Sequence, residues 1–124
     1  MSEFFICDKC GSMLNVLCEC AEEEKNCKEA LRKLEANSTE AATEKHIPAV
    51  TVKGNEICVQ VGSTEHPMAE EHFIMWVYLE TEHGGQFKRL NPGEAPRVKF
   101  TITEDKPVAV YEYCNIHGLW KKDL

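Results

Sequence analysis

The sequence predicts an all-β protein, an antiparallel β-sandwich preceded by a small metal-knuckle domain. Three observations carry that expectation. From Pro48 onward, apolar and polar residues alternate in runs of strand length, separated by Gly, Pro, Asn and Asp. Five of the seven cysteines lie in the first 27 residues, which sets that stretch apart. Between the two regions, Asn37 to Glu44, NSTEAATE, is small and polar and reads as a connection. The expected boundaries are residues 1–36 for the N-terminal domain, 37–45 for a linker and 46–124 for the sandwich. A chain of 124 residues suits one ordinary domain with a small appendage.

In chain order, Phe4-Phe5-Ile6 is a short apolar strand running into Cys7-Asp8-Lys9-Cys10-Gly11. In such a knuckle two thiolates converge because the glycine can take a left-handed conformation. One knuckle supplies half a tetrahedral site, and the rest must come from Cys18, Cys20 and Cys27, none of which forms a second Cys-x-x-Cys. Ala21 to Ala36 is rich in helix formers, with Cys27, Ala30, Leu31 and Leu34 able to share a face, and reads as a short helix or a solvated connection.

In the second region, Val50 and Val52, then Ile57, Val59 and Val61, flank Gly54-Asn55 and predict a hairpin. Ile74 to Leu79 is a largely apolar strand ending near His83-Gly84-Gly85, and Gln86 to Leu90 follows. After the turn-rich Asn91 to Pro96, Val98, Phe100 and Ile102 alternate with polar residues, and Val108 to Tyr113 closes the series. Short strands at this spacing argue for a sandwich of the immunoglobulin-like class. Cys58, on a strand, reads as core rather than ligand.

Composition excludes several functions. The net charge is −7, and neither residues 1–45 (10 acidic, 6 basic) nor residues 46–124 (11 acidic, 8 basic) offers the basic patch that phosphate binding needs, so no nucleic-acid partner is expected. No apolar run approaches the roughly 20 residues that span a bilayer, so no membrane partner is expected. The first residues lack the basic and apolar regions of a signal peptide, and a cytoplasmic location is expected. Seven cysteines in that setting point to metal or redox chemistry rather than to disulfides.

The most informative stretch is Tyr113 to Trp120, YCNIHGLW, which spaces Cys114 and His117 as metal ligands are spaced. Alone, such a pair is more often a buried cysteine near an unrelated histidine. Here it has company. His46 precedes the first strand of the sandwich, His66 and His72 bracket the loop HPMAEEH, and His117 follows the last long strand; only His83, in a hairpin turn, reads as ordinary surface. Four loop histidines and a thiolate suit iron, copper or zinc rather than magnesium or calcium. Five protein ligands exceed the tetrahedral set of structural zinc, which favours iron with one open position.

These residues resemble the superoxide reductases of the desulfoferrodoxin form. The resemblance rests on Glu44-Lys45-His46-Ile47-Pro48, on Glu65-His66-Pro67-Met68 with His72, on the loop Asn91-Pro92-Gly93, and on Cys114-Asn115-Ile116-His117-Gly118-Leu119-Trp120, which together span most of the chain. It implies a mononuclear iron with His46, His66, His72 and His117 equatorial and the Cys114 thiolate axial, the sixth position being open to superoxide. It implies that Lys45 attracts or helps protonate the oxygen ligand, and that Glu44 occupies the open site once the iron is ferric. The reaction implied is one-electron reduction of superoxide to hydrogen peroxide, with an external donor such as rubredoxin and a homo-oligomeric protein, dimer or tetramer. A non-catalytic metal-binding or electron-transfer module is the alternative.

The N-terminal domain departs from the pattern. The family's desulforedoxin-like domain binds a rubredoxin-type iron through Cys-x-x-Cys and a later Cys-Cys pair. Cys7 and Cys10 match the first half, but the pair falls at Asn26-Cys27. Either Cys18 or Cys20 completes a second site with Cys7, Cys10 and Cys27, or the domain is structural; iron, zinc and an empty knuckle all fit these cysteines.

Overall fold

The structure, a computed structural model, describes residues 2–18 and 31–124. Its contacts divide the chain into two compact units, Met1–Glu35 and Ala36–Leu124. The described residues include no helix long and apolar enough to cross a membrane.

In the first unit, β1 (Phe4–Ile6), β2 (Met13–Asn15) and β3 (Arg32–Lys33) form an antiparallel sheet in the order β2-β1-β3. The knuckle is closed by the Gly11 N–H donating to the Cys7 carbonyl at 2.7 Å and the Cys7 N–H donating to the Ser12 carbonyl at 2.9 Å, with Gly11 at φ 76°. The helix expected over Ala21 to Ala36 needs correction at its end. Arg32 and Lys33 are a strand, because β1 has a free edge that accepts them and the Leu34 N–H continues the pairing by donating to the Phe4 carbonyl at 2.9 Å. The rest of that expectation, including Cys20 and Cys27, lies outside the described residues.

The second unit begins with Ala36, so the stretch expected as a linker belongs to it. Asn37, at φ 58°, donates its backbone N–H to Leu119, and its side-chain oxygen accepts from the Lys121 N–H at 2.8 Å. A four-residue helix follows, α1 (Thr43–His46). It stops there because the residue before a proline is pushed out of the helical region, and Ile47 sits at φ −66°, ψ 123° ahead of Pro48.

The strands come next: β4 (Pro48–Lys53), β5 (Glu56–Val61), β6 (Ile74–Thr81), β7 (Gly85–Arg89), β8 (Arg97–Thr101), β9 (Pro107–Cys114) and β10 (Gly118–Asp123). They form two antiparallel sheets, β10-β9-β6-β7 and β4-β5-β8, the expected sandwich. The β4–β5 hairpin turns at Gly54-Asn55 with Gly54 at φ 60°, the glycine supplying the conformation that the tight turn requires. β10 has no counterpart among the expected strands. Only Leu119 and Trp120 of it are apolar before Lys121 and Lys122, too short a run to announce itself.

Between the sheets lie Ile57, Val59 and Val61 of β5, Phe100 of β8, Ile74, Val77 and Leu79 of β6, and Val110 and Cys114 of β9. Each large apolar side chain buried there contributes about 1.5–3 kcal/mol. Cys58 is corrected by the same alternation: with Ile57 and Val59 inward, it faces outward, half-buried and outside the core cluster. A register shift between Ile74 and Trp76 puts Met75 out of step with β9, so β6 bulges beside the end of β9 that carries Cys114.

The turn after β5 packs on α1 through Gly62. This residue sits at φ 84°, and a Cβ there would lie 2.6 Å from the Lys45 carbonyl oxygen, 2.7 Å from that of Glu44, and closer still to that of Thr64. Gly62→Ala is therefore expected to destabilise the chain by roughly 1–3 kcal/mol from backbone conformation alone, and more from overlap. Thermal unfolding measures it, and an unchanged midpoint would contradict this packing.

Candidate metal centre

Each of the five side chains is set by local structure. His46 is the last residue of α1. The His66 N–H donates back to the Val61 carbonyl at 3.2 Å, closing the turn after β5. Ala69 and His72 exchange backbone hydrogen bonds, both 3.0 Å, which fold the loop HPMAEEH into a tight turn ahead of β6. Cys114 ends β9 and His117 immediately precedes β10; Gly118, at φ 79°, pairs with Cys114 and closes the hairpin.

These positions converge. Ligand atoms of His46, His72, Cys114 and His117 all lie within 4.8 Å of one another. His66 adjoins the group, its Nε2 being 3.2 Å from His46 Nε2 and its ring centroid 4.7 Å from that of His72. His46 Nε2 is also 3.1 Å from His117 Nδ1, which in turn lies 3.8 Å from Cys114 Sγ. The sulfur accepts the His117 backbone N–H at 3.4 Å.

The tautomers decide what this cluster can do. His46 Nδ1 lies 2.7 Å from the Ala42 carbonyl, and His66 Nδ1 lies 2.7 Å from the Pro67 carbonyl. A carbonyl only accepts, so each Nδ1 carries the proton and each neutral ring presents a lone pair at Nε2. Two such lone pairs 3.2 Å apart repel unless a cation lies between them. His72 Nε2 is buried with no hydrogen-bond partner among the described residues. An imidazole-rich cluster with one sulfur suits a transition metal, and iron fits this donor set.

Burial supports the same conclusion. It pushes His66 down to about 4 and holds His46 and His72 below their usual value, the neighbouring imidazoles adding to the effect in each case. Neutral imidazole is the form that binds metal. Cys114 is raised, mainly by burial and against the backbone hydrogen bonds from His117 and Ile116, so its proton is held until a cation compensates the thiolate. Glu112, two residues earlier on the same face of β9, is fully buried; burial holds its carboxyl far above the usual range, and neither oxygen has a hydrogen-bond partner among the described residues.

Glu44 and Lys45 are exposed on α1 beside His46. The Glu44 carbonyl accepts from the Thr64 N–H at 2.9 Å and the Ser63 hydroxyl at 3.3 Å, which ties the helix to the turn before His66. The Lys45 charge reaches His72, where it opposes protonation. In the first unit Cys7 is half-buried and Cys10 exposed, both free thiols. Cys10 Sγ lies 3.1 Å from Ser12 Oγ, and hydrogen bonding from Ser12 holds its thiol below the usual value. Cys18 is exposed and free, and Cys27 lies outside the described residues. His83 is exposed and paired with Asp105 at 3.2 Å.

Sequence reasoning gave Trp120 no role. Its ring stacks on His46, centroids 4.8 Å apart at 28°, and its Nε1–H donates to the His117 carbonyl at 3.2 Å, so one buried indole braces two histidines of the cluster. Its place three residues after His117 was the available signal, since the two then lie on one hairpin strand and its entry.

The family model described as Desulfoferrodoxin matches residues 38–123. The chain is 46% identical over 97 residues to a desulfoferrodoxin of Clostridium acetobutylicum, covering 77% of this chain and 75% of that one. It is 38% identical over 121 residues to that of Nitratidesulfovibrio vulgaris, covering 98% and 95%. Among solved structures, the superoxide reductase from Treponema pallidum superimposes with a TM-score of 0.82 at 38% identity, covering 99% of both chains.

The lowered histidines fix the sign of a pH effect on metal-free protein. A group whose folded value lies below its unfolded value contributes stability that is present above the unfolded value and lost as pH falls through the folded one. For His66 the window runs from the ordinary 6.5 down to about 4. Urea unfolding of metal-free chain should thus show stability falling across that window, and His66→Gln should flatten the fall.

Proposed function

The chain belongs to the desulfoferrodoxin family and is a superoxide reductase, an oxidoreductase taking superoxide as its acceptor, and we propose that His46, His66, His72, His117 and Cys114 together hold its iron. The observation carrying this reading is the pair of facing imidazole lone pairs on His46 and His66, 3.2 Å apart beside the unpartnered His72 Nε2. When bound, the iron supplies one electron to superoxide, which with two protons becomes hydrogen peroxide, and an external donor replaces the electron.

The residues around it have separable tasks. Lys45 places an ammonium group near His72, drawing a small anion to a protein of net charge −7 and standing ready to hold or protonate it. Glu44, exposed on α1 two residues before His46, would offer a carboxylate to the oxidised metal. Cys114 provides a thiolate in an apolar setting, where its negative charge is least screened and its donation to a metal strongest. The Ala42 and Pro67 carbonyls and Trp120 keep the imidazoles facing inward.

Rubredoxin as donor, a homo-oligomer and a cytoplasmic location complete the proposal, the last fitting a Cys114 thiol that must stay reduced to bind metal. Cys7 and Cys10 offer two thiolates to a second iron or zinc, with Cys27 a further candidate.

Iron-loaded protein should absorb through a thiolate-to-iron band when oxidised, and Cys114→Ser should abolish it. Reduced protein should consume superoxide; consumption no faster than buffer would overturn the assignment, as would zinc at the centre with no colour on oxidation. Lys45→Ala should slow superoxide consumption about tenfold or more at low ionic strength and less at high salt. Stopped-flow kinetics across a salt series measures this.

A further inference from the structure

The histidines of the centre are not anchored alike. His46 and His66 each have a ring nitrogen tied to a backbone carbonyl, by Ala42 and Pro67. The ring of His72 makes no hydrogen bond within the described residues, and its Nε2 is unpartnered. Apart from its ring contacts with His46, His66 and His117, its placement comes from the backbone on either side of it. On one side the turn from Ala69 helps, through the two backbone bonds already described. Beyond the Ile74–Cys114 pairing where β6 meets β9, the hydrogen bonds among the described residues that tie the short segment Glu71–Phe73 to the hairpin carrying Cys114 and His117 come from a single residue.

That residue is Asn115, directly after Cys114. Its Oδ1 accepts the Phe73 N–H at 2.9 Å, its Nδ2 donates to the Glu71 carbonyl at 3.1 Å, and its own backbone N–H donates to the Phe73 carbonyl at 3.2 Å. The residues it grips stand immediately before and after His72. We propose that Asn115 is a positioning residue of the metal centre, bracketing His72 and fixing that imidazole relative to Cys114 and His117. The proposal rests on the reading of the five side chains as iron ligands.

The chemistry explains why an amide sits there. The clamp needs one acceptor and one donor on a short arm, aimed at an N–H and a C=O two residues apart. Aspartate would keep the acceptor for Phe73 but set a carboxylate oxygen against the Glu71 carbonyl. Alanine would lose both bonds and leave only the backbone contact. Because Asn115 is exposed, water can replace the lost bonds, so the fold should survive while the register of the two loops loosens.

The test uses full-length protein loaded with iron and challenged with excess chelator, following loss of the thiolate-to-iron band. Asn115→Ala should release iron about tenfold faster than the unsubstituted chain and shift the band, and Asn115→Asp should behave similarly. The unfolding midpoint of the metal-free variants should stay close to that of the parent. Iron loss at the parent rate with an unshifted band would overturn the proposal. So would faster loss accompanied by a matching fall in the metal-free midpoint, since that marks a general structural role. Should Asn115→Ala not fold, Asn115→Asp, which keeps the Phe73 bond, decides the matter by the same two readings. Superoxide consumption by the parent chain judges the iron reading separately.

Discussion

Two backbone carbonyls, those of Ala42 and Pro67, set the chemistry of the whole centre. By holding the Nδ1 protons of His46 and His66, they force the opposite nitrogens to face each other as bare lone pairs 3.2 Å apart. Without a cation that arrangement is repulsive; with one it becomes a ligand set. The sandwich can hold it because the cost is spread over rigid elements. His46 is locked between the end of α1 and the Trp120 ring, and His66 by the turn whose glycine leaves room for the α1 carbonyls.

The centre grows out of the hydrophobic core. Cys114 is at once a member of the core cluster, paired across the sheet with Ile74, and among the described residues the thiol nearest the histidines. Burial there raises its proton affinity, and the buried carboxyl of Glu112 on the same face raises it further. A thiolate in that setting is costly alone and well matched to a divalent or trivalent cation. The same burial keeps the imidazoles neutral, the form that binds metal, while the thiol gives up its proton only as a cation takes its place.

Much of this was legible beforehand. The strands from Pro48 to Cys114 follow from alternation, since one face must pack and the other meets water. The hairpin at Gly54-Asn55 follows from turn chemistry. The histidines stood out because each sits at a strand end or in a connection, where distant segments can meet. β10 and the pairing of Arg32-Lys33 were not legible. The first has too few apolar residues, and the second is decided by the open edge of β1 rather than by the helical propensity of its own residues. Cys58 was misjudged because a cysteine suits either face of a strand, and only register assigns it.

The sequence alone determined the all-β class, the family resemblance and which residue types were available to a metal, because periodicity and spacing are local properties of a chain. Only the tertiary structure decided which nitrogen of each imidazole points inward, that Trp120 braces His46 and His117, and that Asn115 grips the backbone around His72. The Nδ1 bonds of His46 and His66 and the Trp120 bond to His117 are local. Bringing the rings together and gripping the His72 segment need groups 71 and 42 residues apart within hydrogen-bond distance, as His46 with His117 and Asn115 with Phe73 are. Contacts of that range are fixed by how the two sheets and their loops pack, and no local pattern encodes them.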